Sequence, residues 1–445
     1  MALKIIYRIF TIAFFLSITH QAFAQYTIAG KVINLVENKP LENATVFIDK
    51  TSYVTKTDRY GDFKIYNVKS NHYQLIVSMV GFKTYKTPIS VQFDTNVHTV
   101  EMEENITSLN EVKIVNAKKL SSRYMDMFKR EILGTSKFGE QCRIINPDVI
   151  KLNFDKRENK LTAYSTDFLI IENKALGYRL KYLVEDFERN EKKQLISYVG
   201  YVLFEAIKGK DKQQQEWAKN RIEAYTGSLQ HFLRSLLGNN INQYKESGFL
   251  VMTDTRMENK YRLPDSIIRK KISFFRNKNS KIDQDSLVFW ISMLQQPKYI
   301  EVLDTTKLQT KQVVHLTDSK GIYSLRIITD TNYVNRWSSV KVRGINRTDV
   351  KCDTCKFKNS LYVTYVKYIP EKSKKTYQSF YRSASSIIPN HEMDKMASLI
   401  SILDGNVLFD WNGVIINPMS LKLERYWANL RLGDLLPIDY LPDQY

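Results

Sequence analysis

The sequence predicts a mainly β protein with an α+β part: a compact N-terminal all-β module, then a larger mixed domain of antiparallel strands with a helical insertion. Three observations predict it. Ile28, Gly30 and Val32 share one face of Thr27 to Ile33, and Tyr73, Leu75 and Val77 alternate with Gln74, Ile76 and Ser78, the period of two that marks half-buried strands. Between two β-branched runs, Thr57 to Asp62 supplies an Asp that can bond its own backbone and a Gly that accepts positive φ, which is hairpin chemistry. Later strand-like runs recur between short turns and are interrupted by one helical region at about 211–246.

The chain opens with Lys4 and Arg8, an apolar run from Ile9 to Ile18, and Ala22-Phe23-Ala24 before Gln25, the small-x-small pattern of a cleaved secretory signal over 1–24. The apolar run is short of the roughly 20 residues a bilayer span needs. Losing Lys4 and Arg8 lowers the formal charge from +19 to +17. So basic a chain points to acidic partners, and for an exported protein those are anionic envelope components or an envelope protein rather than nucleic acid. No transmembrane span is expected after signal removal.

The β module covers 26–103. Its spaced motifs are Gly30-Lys31-Val32, Pro40-Leu41, Ala44-Thr45-Val46, Thr57-Asp58, Gly61-Asp62-Phe63, Leu75 to Ser78 and Val80-Gly81-Phe82. Together they resemble the carboxypeptidase D regulatory-like domain, a transthyretin-like family found in Gram-negative envelope proteins, and the resemblance implies an N-terminal β-sandwich of the seven-stranded type. The resemblance implies a fold and a compartment, periplasmic or outer-membrane associated, and no active site. In 104–119, a linker or strand, Leu109 to Val115 is similar to the acidic-Val-x-Val tail that follows this module in TonB-dependent receptors. The remainder lacks the long series of amphipathic strands a receptor barrel requires.

An uncharacterised α+β domain is expected over 120–445. Leu120 to Leu133 has Tyr124, Met127, Phe128 and Ile132 near helical spacing and stops at Gly134. Val149 to Phe154, Leu161 to Ser165, Phe168 to Glu172, Gly177 to Phe187 and Leu195 to Leu203 read as an antiparallel sheet. Asp211 to Tyr225 is rich in helix formers, and Gly227-Ser228 supplies a break and an N-cap for a helix whose stripe is Leu229, Phe232, Leu233, Leu236 and Leu237, closed by Gly238-Asn239-Asn240. The run from Arg221 to Leu236 also looks like the signature of an uncharacterised domain that accompanies this module. From Phe249 on the reading is mostly β, including Leu287 to Ile291, and Asn412-Gly413 marks a hairpin near the end.

Candidate sites are few. His231 and Arg234, expected with Ser235 to project away from the stripe, form a candidate anion-binding pair, with packing the commoner use of such residues. Cys352-Asp353-Thr354-Cys355 is read as a loop disulfide in an exported protein, since neither a second C-x-x-C nor a spaced His pair completes a zinc site. Cys142 is left over and is expected to be buried. His391-Glu392 fails as H-E-x-x-H because Lys395 replaces the second His. Asp283 and Asp285 read as loop charge. The basic cluster Arg269, Lys270, Lys271, Arg276, Lys278 and Lys281 encloses Phe274 and Phe275, a pattern used by binding strips but more often by a solvated face or linker. No catalytic residue, cofactor site or metal site is nominated. The function expected is a non-enzymatic binding or assembly component of the envelope; the alternative is a peptide or glycan hydrolase with an accessory β-sandwich.

Overall fold

The computed structural model describes residues 25–97, 99–105, 118–192, 195–237, 248–258, 262–276, 281–296, 299–304, 315–319, 322–326, 359–365, 396–403 and 405–442. The chain is mostly β and divides into two compact units, Met1–Leu133 with Lys137–Ala218, and Gly134–Ser136 with Lys219–Tyr445. The division falls inside the stretch 120–445 that the sequence treats as one region.

The first unit starts with the β-sandwich. One sheet holds β1 (Gln25–Asn34) between β4 (Asp62–Lys69) and, at its other edge, β7 (Thr95–Asn96) and β8 (Val100–Met102); the other has the order β3 (Val54–Lys56), β2 (Thr45–Ile48), β5 (Asn71–Ser78), β6 (Tyr85–Val91). Its core holds Ile28, Val32, Tyr73, Leu75 and Val77 of the alternating sets, joined by Val46 and Ile65, all buried; Ile76, on the other face of β5, is buried as well. The turn before β4 is as expected: Asp58 Oδ1 accepts from the Tyr60 and Asp62 amides at 2.8 and 3.0 Å, and Gly61 sits at φ +77°.

Helix α1 (Lys118–Leu133) follows, then a six-stranded antiparallel sheet. Its long central strand β13 (Tyr178–Asn190) is paired along one edge by β14 (Leu195–Ala206). The other edge is shared by β11 (Lys160–Ser165) and β12 (Leu169–Asn173), which continue to β10 (Ile150–Asp155) and β9 (Cys142–Ile144). Phe128 of α1 meets Phe187 edge-on at 5.0 Å and Tyr124 stacks on Phe154 at 4.4 Å, so the predicted helix face is the packed one.

In the second unit, α2 (Asp211–Tyr225, begun in the first) leads to α3 (Leu229–Ser235), capped by Ser228, whose Oγ accepts from the His231 amide at 3.1 Å. A five-stranded sheet has the order β16 (Tyr299–Asp304), β15 (Phe249–Glu258), β19 (Asn359–Tyr365), β20 (Ala397–Ile402), β22 (Leu421–Arg425); a three-stranded one has β17 (His315–Ser319), β18 (Ile322–Arg326), β21 (Val407–Asp410). Phe232 and Leu233 of α3 share one core with Phe249, Val363, Ile400, Phe409 and Trp427. The Asn412-Gly413 hairpin is present, with the Asp410 amide donating to the Val414 carbonyl.

Between β15 and β16 the structure corrects the sequence reading. Residues 287–291 are not a strand but lie within α5 (Lys281–Gln295), which pairs with α4 (Asp265–Arg276) as a helical hairpin. Asp283 and Asp285 are therefore helical rather than loop residues. A short apolar run fits either period, and here length and the packing of α4 select the helix.

Candidate functional site

Within the first unit the sandwich is docked onto the six-stranded sheet, and a groove opens beside the joint. The joint is made by residues 49–51, just after β2. The Lys50 amide donates to the Val202 carbonyl at 2.7 Å, the Phe204 amide to the Thr51 carbonyl at 2.8 Å, and the Val202 amide to Asp49 Oδ1 at 2.8 Å. Phe47 and Ile76 of the sandwich form one buried cluster with Leu183, Tyr201 and Leu203. Burial raises the Asp49 carboxyl above its ordinary value, against the opposing pull of the neighbouring Lys50 ammonium and the Val202 amide.

The groove encloses about 450 Å³. Thr45 and β3 form one wall; Phe168, Ile170 and Leu203 form an apolar opposite wall, with Asn146, Asp167 and the Lys181–Glu205 ion pair (2.5 Å) as its polar groups. Asn146 fixes that wall by accepting from the Ile170 amide at 2.7 Å and donating to the Phe168 carbonyl at 2.8 Å.

Strand β3 is an edge. The Ile48 amide donates to Tyr53 and the Thr57 amide to Ala44, so in this antiparallel register Val46 and Thr55 are the hydrogen-bonded pair between them. Val54 and Lys56 therefore turn their backbone N–H and C=O groups away from β2, with no hydrogen-bond partner among the described residues. Their side chains lie on the groove side, the face that Thr45 and Phe47 share. An open edge beside a partly apolar groove is suited to an extended chain, whose backbone would pair with β3 while alternate side chains enter the groove.

The residues singled out by sequence fall elsewhere. Arg234 donates to the carbonyls of Asn412 (2.8 Å), Ile438 (2.6 Å) and Tyr440 (2.9 Å), and its guanidinium lies 5.4 Å from the Tyr225 ring centroid. His231 accepts from the Gly227 amide at Nδ1 and packs among Tyr225, Phe249 and Tyr365; Ser235 is buried and donates to the Phe232 carbonyl. Helix α3 is thus packed on several sides, and packing is the commoner use of such residues. An anion at Arg234 would have to displace three carbonyls. Cys352, Cys355, His391 and Lys395 lie outside the described residues. Cys142, expected to be buried, is only half-buried, with its Sγ 3.4 Å from the Phe138 carbonyl.

Among the described residues, no three His, Cys, Asp or Glu side chains gather as metal ligands, and no helix is long and apolar enough to cross a membrane. The groove was missed by sequence reasoning because its walls come from strands and loops up to 160 residues apart, as Thr45 and Glu205 are; the one local signal was the shortness of β3.

No curated protein matches the chain. Among solved structures, a type II cohesin–X-dockerin complex from Acetivibrio cellulolyticus is 22% identical over 17% of this chain and 56% of its own, with a TM-score of 0.16. The match thus spans little more than half of that structure's length. A candidate carbohydrate-binding protein from Bacteroides uniformis is 9% identical over 41% of this chain and 79% of its own, TM-score 0.15. A candidate membrane-associated protein of unknown function from Bacteroides fragilis is 11% identical over 42% and 83%, TM-score 0.15. Likenesses this low carry no argument. Residues 28–114 match the family model CarboxypepD_reg-like domain, and the N-terminal β-sandwich of this chain belongs to that family.

Proposed function

We propose that this chain is an exported, non-enzymatic binding or assembly component of the bacterial envelope, at the periplasm or outer membrane, that takes an extended segment of an envelope protein along β3. The open β3 edge beside the groove carries this reading. The basic surface, +17 after signal removal, draws anionic envelope components to the same protein. Export is supported by the signal-like start over 1–24, with Ala22 and Ala24 as the small pair before Gln25. N-terminal sequencing of protein from a Gram-negative host should read Gln25 first, and thiol counting on the denatured mature chain should find one thiol, with Cys352 and Cys355 joined.

Val54→Pro tests the groove. It deletes only an outward-facing amide, so the sandwich keeps its β2 pairing while strand addition is blocked. Pull-down from solubilised envelopes at high salt should retain a partner with the wild type and lose it with V54P at unchanged melting temperature. The same capture by both proteins overturns strand addition. Retention of nothing, together with cleavage of a peptide or glycan library, replaces the reading with the hydrolase alternative.

A further inference from the structure

Of the basic-aromatic run singled out in the sequence, Arg269 to Arg276 lie in helix α4 and Lys281 opens α5, while Lys278 lies outside the described residues; the α4 residues are sorted around that helix. Ile268 is fully buried, with Ile272 and Phe275 half-buried on the same side. Ile267, Lys270, Lys271 and Phe274 fall at i, i+3, i+4 and i+7, one stripe, and all four are exposed, Ile267 at 42% and Phe274 at 57%. Asp265, the helix's one carboxylate, is 2.6 Å from Arg262. The exposed stripe is thus cationic and apolar at once. Its partner in the hairpin, α5, adds exposed Ile282, Val288 and Phe289.

Such a stripe is poorly matched to water, which leaves Phe274 and Ile267 wet, and an acidic protein surface would satisfy only its lysines. An anionic bilayer surface satisfies both: phosphate headgroups meet the ammonium groups while aliphatic and aromatic side chains enter the boundary between headgroups and acyl chains. At 1.5 Å per residue a helix of this length is roughly 18 Å long, enough to lie flat across several lipids.

We propose that α4 docks the protein on an anionic lipid surface, with Phe274 and Ile267 at the headgroup–acyl boundary and Lys270 and Lys271 on lipid phosphates. This names the anionic partner of the envelope reading but does not depend on the groove, so V54P should bind vesicles like the wild type. The experiment is co-sedimentation of the mature full chain with phosphatidylcholine vesicles, with and without phosphatidylglycerol, over a salt series. Binding is expected only with phosphatidylglycerol. K270E/K271E should weaken it by on the order of tenfold or more, and F274S severalfold, with part of the wild-type binding surviving physiological salt. Circular dichroism melts confirm that each variant is folded, and K270Q/K271Q, with a smaller loss, stands in for a charge-reversed protein that is not. Wild-type affinity in K270E/K271E, indifference to F274S with all binding lost on adding salt, or no binding to either vesicle while an acidic protein is retained would each overturn lipid docking.

Discussion

Gly61 shows what one residue carries. Asp58 and Gly61 announce the turn through local chemistry, but a Cβ on Gly61 would also come within 2.4 Å of the Val32 carbonyl, a strand away. Backbone cannot swing aside as a side chain can. Gly61→Ala is therefore expected to cost about 3 kcal/mol, from the left-handed conformation and the clash together. Gly81 has φ +90° with nothing within 4 Å of its added Cβ, so Gly81→Ala should cost only about 1 kcal/mol. Urea denaturation of both variants measures the difference, and equal losses would remove the clash from the account.

At the scale of elements, α3 is a seven-residue helix held by what surrounds it. Phe232 and Leu233 face the core, while Arg234 ties the Asn412 carbonyl of the hairpin to the C-terminal segment through the Ile438 and Tyr440 carbonyls, and Trp427 Nε1 donates to the Gly227 carbonyl at 2.8 Å. Arg234→Gln should destabilise the second unit by about 3 kcal/mol, less than three independent charged hydrogen bonds because they share one guanidinium. Hydrogen exchange should rise at 438–442. A tail as protected as in the wild type would mean that Ile438 and Tyr440 are held by their own burial. Helix α5 teaches the opposite lesson: its Val288 and Ile291 favour strand, yet it is a helix, with Arg262 donating to the carbonyls of Leu294 and Gln296 at its end.

Over the whole molecule, each unit joins distant stretches of chain, and in the first a buried acid holds the joint. Because burial raises the Asp49 carboxyl above 3.8, the folded state holds that proton more tightly than the unfolded chain. As pH rises from about 4 through the raised value, the unfolded chain gives up its proton first and stability falls; above it the loss is complete. Asp49→Asn keeps the acceptor for the Val202 amide and removes the ionisation. The stability of wild type relative to D49N should therefore decline from about pH 4 upward and then level off, as denaturation at a series of pH values would show. Asp434, raised by burial in the second unit, acts with the same sign in both proteins and cancels. A flat difference would mean that Asp49 stays hydrated.

The strands of the N-terminal module, the helix ending at Leu133, the Ser228 cap and the two turns at Gly61 and Gly413 were legible in the chain alone, because each rests on periodicity or on a backbone conformation that only a few residue types accept, while the sandwich followed from the family resemblance. Tertiary structure decided the rest. Whether 287–291 is strand or helix depends on a neighbour to pack against, and Arg234 became a clamp only when the C-terminal carbonyls came within reach. The groove required Thr45 and Glu205 to meet across a joint made by Asp49, Lys50 and Thr51, which no local pattern encodes because pairing between distant strands is chosen by the fit of whole surfaces.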